Sequence, residues 1–272
     1  MSTAFIDVAI EAAIVTIEHR WLARERADAP LVVFLHEGLG SVSSWRDFPQ
    51  RLVDAAGCSG LVFSRPGYGR SAREPGDLRW DNGYLHRQAL TVVPAVLAAL
   101  AKSSGDSRLA RPWLLGHSDG GSIALIIAAQ RPGTLAGAIV LAPHIIVEQQ
   151  SVAGIAAARD AYREGSLRTR LARHHDDPDF TFWRWNDVWL SPPFRAWSIE
   201  RELPAIRCPL LAIQGTDDAY GTMAQIDGIV ARVPGAEAAE LADCGHSLHR
   251  DQPQRLVDVC AAFLRREGST RD

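Results

Sequence analysis

Ser118 stands in the run Leu114-Leu115-Gly116-His117-Ser118-Asp119-Gly120-Gly121, with glycine two residues away on either side. An apolar stretch precedes it and an amphipathic one follows. A serine on a tight strand-to-helix turn needs small neighbours, because the turn folds backbone against backbone. The same turn pushes the hydroxyl to the sheet edge, at a helix N-terminus whose dipole favours developing negative charge. GxSxG alone is a common pattern, with a structural turn as its bland reading; in a strand–turn–helix setting it points to a nucleophile. A serine alcohol needs a general base. His246, in Asp243-Cys244-Gly245-His246-Ser247, is the candidate, because an imidazole changes charge near neutrality. The imidazole in turn needs a carboxylate to fix its tautomer. Asp218, in Ile213-Gln214-Gly215-Thr216-Asp217-Asp218, is the candidate for that. The order is Ser, Asp, His, each at the end of an apolar segment.

Those segments read as strands. Ile14 to Leu22, and part of the segment before it, alternate like a half-buried strand. Leu31 to Leu35, Gly60 to Ser64, Pro112 to Gly116, Ala138 to Leu141 and Pro209 to Ile213 are apolar runs of the kind covered on both faces, and Glu237 to Leu241 completes the set. Helical stretches separate them: one ending near Ala56, Asn82 to Lys102, Gly120 to Gln130, Met223 to Val233 and Pro253 to Arg266. Strand–helix alternation with short connections predicts an α/β protein with a mostly parallel sheet and helices on both faces. His144 to Leu203 breaks the alternation. It is helical, polar and aromatic, with Trp183, Trp185, Trp189 and Trp197 supplying four of the eight tryptophans. An insert of this size is expected over the carboxyl edge of the sheet, where ligands bind. The expected division is a core of residues 1–143 and 204–272 and a helical cap of residues 144–203.

The chain resembles the α/β-hydrolase fold superfamily, in its capped serine esterase and carbon–carbon hydrolase branch. The resemblance spans nearly the whole chain and rests on GHSDG, DCGH, GTDD, the His36 loop and Arg65-Pro66-Gly67-Tyr68-Gly69-Arg70-Ser71. It implies an eight-stranded sheet with a helical cap. It also implies that the acid lies three residues after the glycine ending its strand, which is Asp218 rather than Asp217; Asp217 is then an N-cap or a neighbour of the acid. The oxyanion hole is expected from the N–H groups of Asp119 and of Gly38, with Leu39 the alternative to Gly38. The family usually shows His-Gly here, whereas this chain reads His36-Glu37-Gly38-Leu39-Gly40. An unpaired carboxylate would oppose a developing oxyanion, so Glu37 is expected to turn away and pair, with Arg65 or Arg70 nearest at sequence level. The Arg65–Ser71 loop, which lacks P-loop spacing, is expected to buttress the fold.

Leu39, His144, Trp183, Trp185, Trp189, Tyr220 and His249 are the expected substrate-pocket residues; His249 has a second reading as a partner of Asp251. His36 and His117 are expected to support the loop and to pack. His174-His175-Asp176-Asp177 makes a poor metal site, because adjacent ligands lack a distant partner; Asp177 before Pro178 fits an N-cap with proline at N1. No metal and no cofactor are expected.

The 272 residues suffice for a large core without staples. A net charge of −3 gives no overall basic field for nucleic acid or anionic lipid. Positive charge is almost all arginine, Lys102 being the only lysine, which reads as composition bias. No run of 18 apolar residues occurs, and Met1 to Asp7 has no signal-peptide features. The scattered Cys58, Cys208, Cys244 and Cys260 read as free thiols. A cytoplasmic location without nucleic-acid or membrane partners is expected; oligomeric state has no sequence signature. The expected activity is hydrolysis of a small-molecule carboxylic ester or lactone through an acyl-enzyme. The rivals are carbon–carbon hydrolysis of a ring-cleavage dienoate, with Arg184 and Arg195 as carboxylate binders; aminopeptidase action, with Glu148, Glu164 or Asp187 as the amine partner; and a non-catalytic ligand-binding receptor.

Overall fold

The computed structural model describes residues 3–76 and 80–269. Met1 and Ser2, part of the amino-terminal reading above, lie outside them. Eight strands form one sheet: β1 (Ala4–Ile10), β2 (Ala13–Leu22), β3 (Leu31–Leu35), β4 (Ser59–Phe63), β5 (Trp113–His117), β6 (Gly137–Leu141), β7 (Leu210–Gly215) and β8 (Glu237–Leu241). Their spatial order is β1-β2-β4-β3-β5-β6-β7-β8. β2 runs antiparallel to both β1 and β4, and the remaining pairs are parallel. The crossover after β3 leads to one side and the chain then returns to place β5 on the other. The carboxyl ends of β3 and β5 therefore flank a topological switch point, where an open α/β sheet offers a crevice.

Every residue of β3, β4, β5, β6 and β7 is buried. Successive side chains alternate between two apolar cores, one on each face, as period-2 geometry requires. Val33, Leu35 and Leu114 enter one core, and Val32, Phe34 and Leu115 the other. This double burial is why the central strands read as unbroken apolar runs.

The helices are α1 (Phe48–Ala56), α2 (Tyr84–Arg87), α3 (Val93–Ser104), α4 (Asp119–Gln130), α5 (Gln149–Arg163), α6 (Ser166–Leu171), α7 (Pro178–Leu190), α8 (Ala224–Val230), α9 (Leu248–Asp251) and α10 (Pro253–Ser269). The expected helix from Asn82 to Lys102 is α2 and α3 joined by a π-helical turn, Gln88–Val92. Pro94 explains the turn: it has no N–H for Leu90 O, four residues back. Arg131 supplies the missing donor to Leu90 O at 2.7 Å. This helical run of 21 residues, Tyr84–Ser104, is long and apolar enough to cross a membrane by length and composition, contrary to the sequence reading. In the fold its Leu85, Val92, Val96 and Leu100 belong to the core.

α4 departs from its amphipathic reading. Asp119 through Ala129 are all buried, because the helix is covered by the sheet, by the π turn and by the Leu203–Ala205 turn. Between β6 and β7 the chain leaves the sheet for α5, α6 and α7, and Ile146 and Ser198 form an antiparallel bridge across the neck of this insertion. Asp177 caps α7 through Phe180 N at 2.8 Å, with Pro178 in its first turn, as the sequence predicts. His175 pins the insertion to the sheet loops: it accepts from Gly69 N at 2.9 Å and donates to Leu39 O at 2.9 Å. All four cysteines are free thiols.

Candidate active site

Ser118 sits between β5 and α4 at φ +53° and ψ −117°, a region an L residue adopts only at a cost. Its N–H donates to Leu141 O at 2.8 Å, which ties the turn to the neighbouring strand end. Glycine makes the turn possible. A Cβ on Gly116 would lie 2.1 Å from Gly120 O, and one on Gly120 would lie 2.0 Å from Leu35 O.

Ser118 Oγ is 3.0 Å from His246 Nε2. On the other edge of the imidazole, Nδ1–H faces Asp218 at 2.9 Å and 2.8 Å to the two carboxylate oxygens. The Asp218 carboxylate also accepts from Gln214 Nε2 at 2.7 Å and Tyr220 N at 2.7 Å. Burial pushes the Asp218 carboxyl up, but the hydrogen bond and charge of His246 outweigh it and hold it below its ordinary value. Asp217 is exposed; its carboxylate meets only the Thr216 hydroxyl at 3.2 Å, and its N–H donates to Cys244 O. Of the two aspartates, Asp218 alone meets His246, and Asp217 neither caps a helix nor touches the acid.

The loop after β3 rests on buried groups. His36 donates from Nδ1 to Glu37 O at 2.7 Å and accepts from Arg65 N at 3.1 Å. Burial, then the Arg65 charge, holds the His36 pKa well below its ordinary value, so the ring is neutral. The fully buried Arg65 donates to Glu37 O at 3.0 Å and stands 3.8 Å from Asp119 Oδ2, which also accepts from Tyr84 OH at 3.0 Å. Asp119 thus has its side chain buried and tethered at the amino end of α4, while burial pushes its carboxyl up.

The expected partners of Glu37 are corrected. Arg65 engages its backbone carbonyl, and Arg70 N–H donates to Glu18. The Glu37 carboxylate instead faces His117 Nδ1 at 3.5 Å. Burial opposes its charge, but His117, His249 and Arg250 together hold the Glu37 pKa well below its ordinary value. His117 is therefore more than packing: its Nε2–H donates to His246 O at 2.7 Å.

A cavity of about 370 Å³ opens above Ser118 and His246. Gly38, Leu39, Asp119, His144, Trp185, Trp189 and Tyr220 line it. A Cβ on Gly38 would lie 2.1 Å from Trp185 Nε1, so the bare glycine lets the indole close over this loop. His144 is held neutral, its pKa lowered to about 3 by burial and the nearby His246.

Two expected pocket residues lie elsewhere. Trp183 packs edge-on against Tyr162 and Phe182 under Arg163, because it projects from the far side of α7. His249 is buried behind the site against Trp45, Phe48 and His117, because the single turn of α9 directs it inward. Its alternative partner, Asp251, accepts from Gly245 N instead. The cavity also carries residues the sequence reading did not assign to it: Arg46, Arg170, Arg173, His174 and Arg250. Arg184 and Arg195 are not among its walls; Arg184 lies over Trp80 and Phe180. Glu148, Glu164 and Asp187 are likewise absent from it, and Glu148 binds Thr222 and Gln225. Another cavity, of about 380 Å³ between α3 and α4, is walled mainly by apolar groups and holds no nucleophile–base pair. No cluster of metal-ligating side chains occurs among the described residues.

The arrangement can do acyl chemistry: a hydroxyl against a base, a base oriented by a carboxylate, and a helix N-terminus beside the hydroxyl. The chain is 25% identical over 255 residues to 2-succinyl-6-hydroxy-2,4-cyclohexadiene-1-carboxylate synthase of Enterobacter sp. (strain 638), covering 87% of this chain and 92% of that one. It is 23% identical to mouse sn-1-specific diacylglycerol lipase ABHD11, covering 88% and 82%. Among solved structures, the enol-lactonase of Burkholderia xenovorans LB400 superposes with a TM-score of 0.70 at 17% identity, covering 95% of this chain and 99% of that one. The esterase RhEst1 of Rhodococcus sp. ECU1013 superposes at 0.68 with 18% identity, covering 97% and 98%. At such identities these two structures share the fold. The profile of the alpha/beta hydrolase family matches residues 32–259, and the chain belongs to that family.

Proposed function

We propose that the protein is a serine hydrolase of a carboxylic ester or lactone, with Ser118, His246 and Asp218 as its triad. The observation that carries the reading is the 3.0 Å approach of His246 Nε2 to Ser118 Oγ, with Nδ1 of the same ring on Asp218. Ser118 attacks the carbonyl carbon as His246 takes its proton. The N–H groups of Gly38 and Asp119 hold the oxyanion, worth about 3 kcal/mol per donor. His246 then returns the proton to the leaving alkoxide, and the acyl group stays on Ser118. Water, deprotonated by His246, releases the acid and restores the serine. Residues 144–203 act as a cap over the cavity, with Trp185 and Trp189 facing the substrate.

The names of the neighbours, an enol-lactonase and an esterase, are consistent with this reading. Carbon–carbon bond chemistry is the second reading. The cavity arginines favour it, since a dienoate acid needs a cationic wall, and so does the cyclohexadiene carboxylate synthase among the relatives. The test is a hydrolysis screen over acyl and alcohol sizes, lactones and a dienoate, with Ser118→Ala as control and fluorophosphonate labelling of the native protein. Ester or lactone turnover with a Ser118 adduct supports the proposal. Dienoate turnover alone replaces it, and an unlabelled, folded, inactive protein removes it.

A further inference from the structure

Arg46, Arg173 and Arg250 reach the cavity from three separate segments: the loop after β3, the turn after α6, and α9. Arg170 joins from α6, on the Tyr220 side, where its charge acts on the Tyr220 hydroxyl. Of the two carboxylates of the cavity wall, Asp119 meets Tyr84 and Arg65, and Glu37 faces His117 while its charge reaches Arg250 without an ion-pair contact. Among the described residues, no carboxylate lies within ion-pair distance of any of the four arginines, and the one side-chain hydrogen bond any of them makes is Arg250 to Ser44 O at 3.3 Å. Elsewhere on the surface, Arg26, Arg168, Arg232 and Arg266 all hold carboxylates.

His174 marks where three of these charges meet. Its Nδ1 is 2.8 Å from Ser43 Oγ, which joins the insertion to the loop bearing Arg46. Burial, then the positive charge of Arg250, lowers its pKa; the Glu37 charge opposes this, and Arg46 and Arg173 add to the lowering. Arg46 is held at φ +55°, a left-handed conformation that costs an arginine energy. Like charges gathered with no carboxylate in ion-pair contact repel one another, the Glu37 charge acting on Arg250 and His174 only from beyond that distance; this chain has a net charge of −3, so no overall basic field accounts for the cluster.

We propose that the natural substrate carries, besides its scissile carbonyl, a carboxylate that binds the Arg46–Arg173–Arg250 cluster beside His174. The inference rests on the cavity being the catalytic site and narrows its substrate class to anionic esters or lactones. Guanidinium groups suit this role, because their planar fork meets a carboxylate through two parallel hydrogen bonds. The cluster also draws an anion toward the cavity mouth before it docks.

The test pairs esters of equal acyl length, 4-nitrophenyl hydrogen adipate and 4-nitrophenyl hexanoate, with calorimetry of adipate and hexanoate on the Ser118→Ala protein. We expect kcat/KM at least tenfold higher for the anionic ester at low salt, shrinking toward parity in 0.5 M NaCl as the charges are screened (about 3 Å Debye length at 1 M). Adipate binds at least tenfold tighter than hexanoate. In Arg173→Gln/Arg250→Gln both ratios fall at least tenfold, with an unchanged thermal midpoint showing that the fold is intact. Equal kcat/KM for the two esters with equal binding of the two acids overturns the inference and leaves the hydrolase reading standing. Arginine-dependent adipate binding without turnover of either ester supports the anion site and counts against the serine-hydrolase reading.

Discussion

Glu37 and His117 meet at 3.5 Å, while the other ring nitrogen of His117 is 2.7 Å from His246 O. A carbonyl can only accept, so His117 Nε2 carries a proton. One imidazole thus links the loop after β3 to the backbone of the proposed general base. Replacing Glu37 by Gln removes the counter-charge. We expect a loss of about 1–2 kcal/mol in denaturant unfolding and no gain in kcat. A faster variant of undiminished stability would show that the carboxylate acts on the reaction rather than as a structural partner.

The choice of acid has its own comparison. Asp218→Asn leaves the shape but disturbs the tautomer of His246, and kcat should fall about 10⁴-fold. Asp217 is exposed, so Asp217→Asn should change kcat less than about twofold. Steady-state rates on any ester found in the screen decide; the reverse ranking would exchange the two roles.

Buried neutral histidines make the fold acid-sensitive. His144 and His249 have pKa values lowered to about 3, chiefly by burial, from 6.5. Each binds fewer protons folded than unfolded below pH 6.5. Their contributions are complete above that pH and are lost as it falls toward 3, at up to about 1.4 kcal/mol per pH unit for each. His249 is surrounded by Trp45, Phe48 and His117, and neither of its ring nitrogens makes a well-formed hydrogen bond. We therefore expect His249→Phe to match the native protein at pH 7.5 and to flatten the stability curve between pH 6.5 and 4. A parallel curve for the variant would show that His249 is protonated in the fold.

The tryptophans of α7 separate by face. Trp185 lines the cavity and Trp183 packs on Tyr162 and Phe182. Trp185→Ala should raise KM for a bulky ester about tenfold, which is about 1.4 kcal/mol of lost contact. Trp183→Ala should lower the thermal midpoint with KM unchanged. A KM effect confined to Trp183→Ala would reverse the faces.

Much of this was legible before folding, for a local reason. Ser118 is fixed by neighbours that must be small and by flanking patterns that must be strand and helix, all within a few residues. His246 and Asp218 follow because each lies in the loop just after its own strand. The helical register also held an unused signal: Trp185 and Trp189 are four apart and share a face, whereas Trp183 is turned about 200° from Trp185. Nothing local says where Glu37 pairs. Arg65 was the plausible partner, but burial commits its guanidinium to the Glu37 carbonyl and Asp119, and the carboxylate goes to a histidine 80 positions along the chain. The arginine cluster is similarly silent in sequence, because a lone surface arginine is ordinarily solvated and only the packing of α6 and α9 beside the loop after β3 gathers these. The sequence alone determined which groups could react and the strands that carry them, since those depend on short-range sterics and periodicity. The tertiary structure alone decided which charges stand together and which indoles face the cavity, since those depend on distances between segments far apart in the chain.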